Sequence, residues 1–174
     1  MKEIEVKILD VHPAEIRIRL KKIGAKKYFD GDVHAVYFDT ADDQLKKKGV
    51  VLRVRTAGDR VELCAKGNRK KSRFKNIDEF EVVTGDYEQT VALLQMLGYV
   101  RRRESIRRRE CYKLGAIKYD LDFYPGIPPF IEVESGTEDD VVRGVEKLGY
   151  MMDNTTNMTA QEVEAYYKSE GKND

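Results

Sequence analysis

Apolar and charged residues alternate with a period of two along much of the chain, the mark of short strands whose successive side chains point to opposite faces. In the first such segment, Glu3-Ile4-Glu5-Val6-Lys7-Ile8, one face carries Glu3, Glu5 and Lys7 and the other Ile4, Val6 and Ile8. The pattern recurs in Val36-Tyr37-Phe38-Asp39, Leu52-Arg53-Val54-Arg55, Val61-Glu62-Leu63-Cys64-Ala65-Lys66 and Glu79-Phe80-Glu81-Val82. It continues, less cleanly, in Arg107-Arg108-Arg109-Glu110-Cys111-Tyr112, then in Lys118-Tyr119-Asp120-Leu121-Asp122-Phe123 and Ile131-Glu132-Val133-Glu134. That makes about eight strands, separated by turn residues such as Gly58-Asp59, Gly115 and Pro125-Gly126. Three stretches, 12–23, 87–97 and 137–148, instead space their apolar residues three or four apart and predict helices. Each ends in Ile-Gly or Leu-Gly, with Gly24, Gly98 and Gly149 free to take the left-handed position that stops a helix. Thr137 is placed to cap the third, with Glu138, Asp139 and Asp140 in its first turn where the helix dipole favours them. A last helix begins near Thr159, where Thr159-Ala160-Gln161-Glu162 fits a capping box and Val163, Tyr166 and Tyr167 face the body.

The polar faces of these strands carry charge of both signs rather than neutral polar residues. An antiparallel sheet with one face in water would account for that, but the helices need an apolar sheet face to pack on, and the strands offer one. If that face turns outward to the helices, the charged faces converge, and eight antiparallel strands are enough to close a barrel around them. The expected fold is therefore α+β, a closed eight-stranded antiparallel β-barrel with helices packed outside. Its interior would gather Glu3, Glu5, Lys7, Arg53, Arg55, Glu62, Lys66, Glu79, Glu81, Arg107, Arg109, Lys118, Asp120, Asp122, Glu132 and Glu134. Charges withdrawn from water must be paired, hydrated or bound to ions. Carboxylate clusters suit hard divalent cations and Arg/Lys clusters suit phosphate oxygens, so the combination points to a metal-bound polyphosphate.

Composition narrows this reading. At 174 residues the chain is expected to form a single domain, 1–174. Lys and Arg number 32 against 31 Asp and Glu, a net charge of +1, which argues against a nucleic-acid-coating role. The basic runs 46–48, 69–71 and 101–103 then read as solvated loops or charges that steer a ligand. No long apolar run or leader pattern is present, so no membrane association is expected and the cytoplasm is the default compartment. Cys64 and Cys111 lack zinc-type spacing, and His12 and His34 lack catalytic partners in the sequence.

Glu3-Ile4-Glu5-Val6-Lys7 resembles the N-terminal E-x-E-x-K signature of the CYTH superfamily, the triphosphate tunnel metalloenzymes, which include class IV adenylyl cyclases, thiamine triphosphatases and inorganic triphosphatases. The resemblance continues in order through Tyr37-Phe38-Asp39-Thr40, Leu52-Arg53-Val54-Arg55, the strand ending in Lys66, Glu79-Phe80-Glu81, Arg107-x-Arg109, Leu121-Asp122 and Ile131-Glu132-Val133-Glu134. It implies Mg²⁺ or Mn²⁺ held by Glu3, Glu5, Asp122, Glu132 and Glu134. It implies a triphosphate clamp of Lys7, Arg53, Arg55, Lys66, Arg107 and Arg109, with Glu5, Lys7 and Arg109 as catalytic residues. Glu79 and Glu81 fit either metal binding or orientation of neighbouring arginines, and Glu79 is read as orienting. Class IV cyclases usually carry Lys where Arg107 stands, a point charge in place of a planar fork. The chain has no Trp, on which animal thiamine triphosphatases stack their substrate. The implied activity is conversion of ATP to cyclic AMP and pyrophosphate, with triphosphate hydrolysis or a non-catalytic polyphosphate-binding module as alternatives. Homodimers are common in the cyclase branch and are the assembly it implies.

Overall fold

The computed structural model describes residues 2–70, 72–169 and 171, with the side chains of residues 2, 69 and 70 aside, so the basic run at 69–71 lies outside the described side chains. Eight strands form in chain order: β1 (Lys2–Ile8), β2 (Lys26–Thr40), β3 (Val51–Ala57), β4 (Arg60–Lys70), β5 (Lys75–Thr84), β6 (Tyr99–Leu114), β7 (Ile117–Phe123) and β8 (Phe130–Ser135). The helices are α1 (Pro13–Lys22), α2 (Gln44–Lys47), α3 (Tyr87–Met96), α4 (Glu138–Lys147) and α5 (Ala160–Ser169). The strands close into a barrel in the order β1-β5-β4-β3-β2-β6-β7-β8, as the alternation predicts. Two of them run longer than their patterns suggested: β2 spans 15 residues and β6 spans 16. The short helix α2 was not foreseen. It is set by Asp39, whose carboxylate accepts from the backbone N–H groups of Leu45 and Lys46.

The residues fall into two compact units, each drawing on separated stretches of chain. One comprises Gly31–Arg69 and Ile77–Arg107 with the first two residues. Its core is Val36, Phe38, Val54, Val61, Val91 and Leu94, the apolar faces of β2, β3 and β4 under α3. The other unit comprises Glu3–Asp30, Lys70–Asn76 and Arg108–Asp174. Here Ile4, Val6 and Ile8 of β1, Tyr119 and Leu121 of β7 and Ile131 and Val133 of β8 pack against Ile16 and Leu20 of α1 and Val141 and Val145 of α4. Each such side chain withdrawn from water contributes about 1.5–3 kcal/mol before entropy is counted. A smaller cluster joins Phe130 to Val163 and Tyr167 of α5. The helix ends follow the sequence signals: Gly24, Gly98 and Gly149 adopt φ of +78°, +88° and +79°, and the Thr137 hydroxyl accepts from the Asp140 N–H. Thr159 and Glu162 exchange the two bonds of a capping box.

One expectation fails locally. On β5 the apolar face is bare at Phe80 and Val82, both more than half exposed, because α3 covers the outer faces of β2 to β4 and reaches no further. Among the described residues no helix is long and apolar enough to cross a membrane.

Candidate active site

Because side chains alternate across a strand, antiparallel register decides which charged residues become neighbours. In the unit containing β1, Glu5 lies opposite Glu134 and Lys7 opposite Glu132. Across the next pair, Asp120 lies opposite Glu132 and Lys118 opposite Glu134, and Asp122 lies opposite Arg109 of β6. The predicted metal ligands thus sit on the adjacent strands β1, β8 and β7, interleaved with cations.

Arg109 is the centre of this cluster. Its Nε donates to Asp122 Oδ1 at 2.6 Å, its Nη1 to Asp120 Oδ2 at 2.5 Å and its Nη2 to Glu132 Oε2 at 2.7 Å, with a further bond from Nη2 to Asp122 Oδ2. Lys7 joins the second half: its Nζ lies 2.5 Å from Glu5 Oε1 and 3.0 Å from Glu132 Oε1. Lys75 reaches the same Glu5 oxygen at 2.9 Å. Lys118 pairs with Glu134 Oε1 at 2.7 Å. The centre of the cluster is nearly dry, with side-chain exposures of 1% for Lys7, 4% for Glu5 and 0% for Asp122, while Lys118 at its margin is 46% exposed.

The local electrostatics follow from that burial. Desolvation acts to raise the Glu5 carboxyl, but Lys7 and Lys75 outweigh it and hold the group below its ordinary value. Burial, with Glu3 nearby, pushes Glu134 up to about 7 despite Lys118. Asp120 is also raised, by burial first, even with Arg109 beside it. Its Oδ1 is buried and has no hydrogen-bond partner. That oxygen, beside Glu132 and Asp122, is a hard donor of the kind a divalent cation takes, so the residue types present fit a divalent ion. Alternation placed Asp120 and Asp122 on one face and the family resemblance singled out Asp122, whereas the structure engages both on Arg109.

The second unit holds a separate charged cluster. Arg55 donates to Glu62 Oε2 at 2.6 Å and to Glu81 Oε2 at 3.1 Å, and Arg60 reaches Glu81 Oε1 at 3.2 Å. Lys66 Nζ lies 2.7 Å from Glu79 Oε2 and Arg53 3.7 Å from Glu79 Oε1. Glu79 and Glu81 are thus ion-paired with cations of these strands. Arg107 is buried on β6 and, with Arg53 and Arg103, lowers the phenol of Tyr37 against the opposing effect of burial. The Arg103 guanidinium stacks 4.2 Å from the Tyr37 ring centre.

Among the described residues, the one group of metal-type ligand atoms lying within 4.8 Å of each other is Cys64, Glu79 and Glu81. It suits a metal poorly: burial pushes the Cys64 thiol up to about 12, so the thiol stays protonated and donates to Glu79. Of the predicted residues, then, Glu5, Lys7, Arg109, Asp122 and Glu132 come together in one network, with Glu134 held beside it by Lys118. Arg53, Arg55 and Lys66 are paired in the other unit. Sequence reasoning passed over Lys75, although it shares the parity of Glu79 and Glu81 on one strand. It gave no role to Tyr37, although the motif Tyr37-Phe38-Asp39-Thr40 contains it.

Residues 1–163 match the model of the CYTH domain. A Methanocaldococcus jannaschii protein provisionally named an adenylate cyclase is 28% identical over 142 residues, covering 80% of this chain and 79% of that one. Among solved structures, a Pyrococcus horikoshii protein superposes with a TM-score of 0.76 at 22% identity, over 92% of this chain and 98% of the other. A Hippeastrum protein in which a triphosphatase activity dominates superposes with a TM-score of 0.69 at 20% identity, over 97% and 96% of the two chains. These structural likenesses establish a shared fold.

Proposed function

Because the chain belongs to the CYTH domain family, we propose that it is a divalent-metal-dependent enzyme acting on a triphosphate substrate, with residues 1–174 working as one domain. The observation that carries the reading is the buried network of Glu5, Lys7, Arg109, Asp122 and Glu132 on adjacent strands, with Asp120 Oδ1 left as an unused acceptor. A pure anion-binding module would gain nothing from so many carboxylates among its cations. Glu3, Glu5, Asp122, Glu132 and Glu134 are the residues that would hold Mg²⁺ or Mn²⁺, and Asp120 joins them. When bound, the ion polarises phosphate oxygens as a Lewis acid.

The remaining work belongs to the chain. Lys7 and Arg109 neutralise charge that builds on the phosphate oxygens in the transition state, while Arg53, Arg55, Lys66 and Arg107 bind and orient the triphosphate. Glu5, fixed between two ammonium groups, holds Lys7 in place. In the reading favoured by the sequence resemblance and the archaeal relative, the ribose 3′-hydroxyl of ATP attacks the α-phosphorus and pyrophosphate leaves, giving cyclic AMP. The Hippeastrum neighbour supports a second reading, in which water attacks the terminal phosphorus and orthophosphate is released.

The two separate on product analysis. The protein is incubated with ATP, and in parallel with inorganic triphosphate, in Mg²⁺ or Mn²⁺, and the products are resolved by ion-exchange chromatography. Cyclic AMP with pyrophosphate supports the cyclase; orthophosphate, above all from inorganic triphosphate, supports the hydrolase. Glu132→Ala is expected to abolish either turnover, and a variant as active as the parent would sink the metal assignment. Tight binding of both substrates without turnover would leave only the binding module.

A further inference from the structure

Lys75 is the first residue of β5, and it is placed unusually for a lysine at the start of a strand. It is only 11% exposed, and its ammonium shares a single carboxylate oxygen, Glu5 Oε1, with Lys7. Its backbone is anchored on both sides. Phe74 is buried in the core beneath β1, and Asn76 is buried on the other flank. The preceding loop is tied to the segment after α4, where Asn157 Nδ2 donates to the Ser72 carbonyl at 2.5 Å and Arg73 pairs with Asp153 at 2.8 Å. The main chain at Lys75 is thus held, and its four methylenes let the ammonium change partner without the backbone moving.

The two lysines on Glu5 are not equivalent. Lys7 bridges Glu5 and Glu132, and its own backbone N–H and C=O bond Thr156 at 2.8 Å each. Among the described residues Lys75 has one carboxylate within ion-pair distance, Glu5. A carboxylate oxygen cannot keep two ammonium groups at hydrogen-bond range and also bind a dication, because the like charges repel strongly in a poorly hydrated site. Of the two cations, Lys75 has less to lose by leaving.

Resting on the metal-dependent reading above, we propose that Lys75 is a latch on the metal site: it occupies Glu5 when no ion is bound, and yields that oxygen to a divalent cation by moving its ammonium onto the phosphate chain of the substrate. The latch makes metal and polyphosphate bind with positive coupling, since each is favoured once Lys75 has let go of Glu5. Lys75 is a positioning residue in the first state and a substrate contact in the second.

The sign of the effect separates a latch from a structural role. Mn²⁺ binding to the intact, metal-stripped protein without any phosphate is measured from the electron paramagnetic resonance signal of the free ion. Lys75→Met is expected to tighten Mn²⁺ binding on the order of five- to tenfold, and Lys75→Arg, which keeps the competing cation, to retain the affinity of the parent. Arg73→Met makes the same change of charge two residues before Lys75 and is expected to stay within about twofold of the parent, as a screened charge half exposed to water should. Lys75→Gln takes the place of the Met variant if that one fails to fold. Unchanged or weaker Mn²⁺ binding in the Lys75→Met or Lys75→Gln protein, with binding intact in the parent, overturns the latch and leaves the metal reading standing. The same overturn follows if Arg73→Met tightens binding equally. Absence of Mn²⁺ binding in parent and variants alike, with and without inorganic triphosphate, overturns the metal reading and the latch together.

Discussion

Arg109 makes four hydrogen bonds to three carboxylates, and no other side chain could take its place. The guanidinium presents its donors as a planar fork, which lets one cation satisfy Asp120, Asp122 and Glu132 together; an ammonium offers no such fork. Arg109→Ala would leave those carboxylates facing each other in a site where Asp122 has no exposed surface. The expected cost is about 3–5 kcal/mol of folding stability, read as a lower urea midpoint at an unchanged slope. A loss below about 1 kcal/mol, the range of exposed pairs, would show that the network is wet. Arg109 was legible because it alternates in phase with Arg107 and Cys111. Lys75 was not, because the turn before β5 breaks the alternation just where that lysine enters it. The pairing of acids with bases was illegible for a different reason: period-two patterning assigns faces, and only register assigns partners.

Helix α4 shows how an element transmits its packing to the site. Gly144 lies against β8 so closely that an added Cβ would stand 2.6 Å from Val133 Cγ1 and 3.0 Å from Ile117 Cγ2. Val133 sits between Glu132 and Glu134 in β8 and faces the helix while they face the charged cluster. Gly144→Ala would gain roughly 1 kcal/mol of helix propensity but force the helix outward, at about 1–3 kcal/mol for overpacking. The expected net result is a modestly lower melting temperature with a larger loss of turnover, as Glu132 is displaced. A variant more stable than the parent and equally active would mean that the helix yields without moving the strand. The helix boundaries themselves were readable from Leu-Gly stops and caps. The full length of β6 was not, because the charges at 101–103 and 107–109 follow each other without alternation, and its strand character comes from its ladder neighbours β2 and β7.

At the scale of the molecule, the barrel was legible in the sequence because the strands carry too much charge on one face and the helices need the other. One tie between α1 and that barrel was hidden, since it is an ion cluster on the apolar side and adds to the packing of Ile16 and Leu20. Glu110 of β6, 1% exposed, accepts from Arg17 of α1 at 2.7 Å and from the Tyr112 hydroxyl at 2.7 Å, with Lys27 of β2 at 3.0 Å and Arg108 at 3.7 Å. Burial acts to raise its carboxyl, but these donors bring it down to about 2, from an ordinary value of 4.5. A depressed carboxylate adds stability that is complete above its unfolded value and vanishes as pH falls through its folded one. The Glu110 contribution is therefore full above about pH 5 and lost progressively between about pH 4.5 and 2. Discounted for partners that are more than a third exposed, Arg17 and Lys27, it is on the order of 2 kcal/mol. Thermal unfolding of parent and Glu110→Gln followed from pH 7 to pH 2.5 should give two curves far apart at neutral pH and converging in acid. If the gap between them stayed constant across that range, Glu110 would not titrate with unfolding, and its carboxyl would not be held low by these donors.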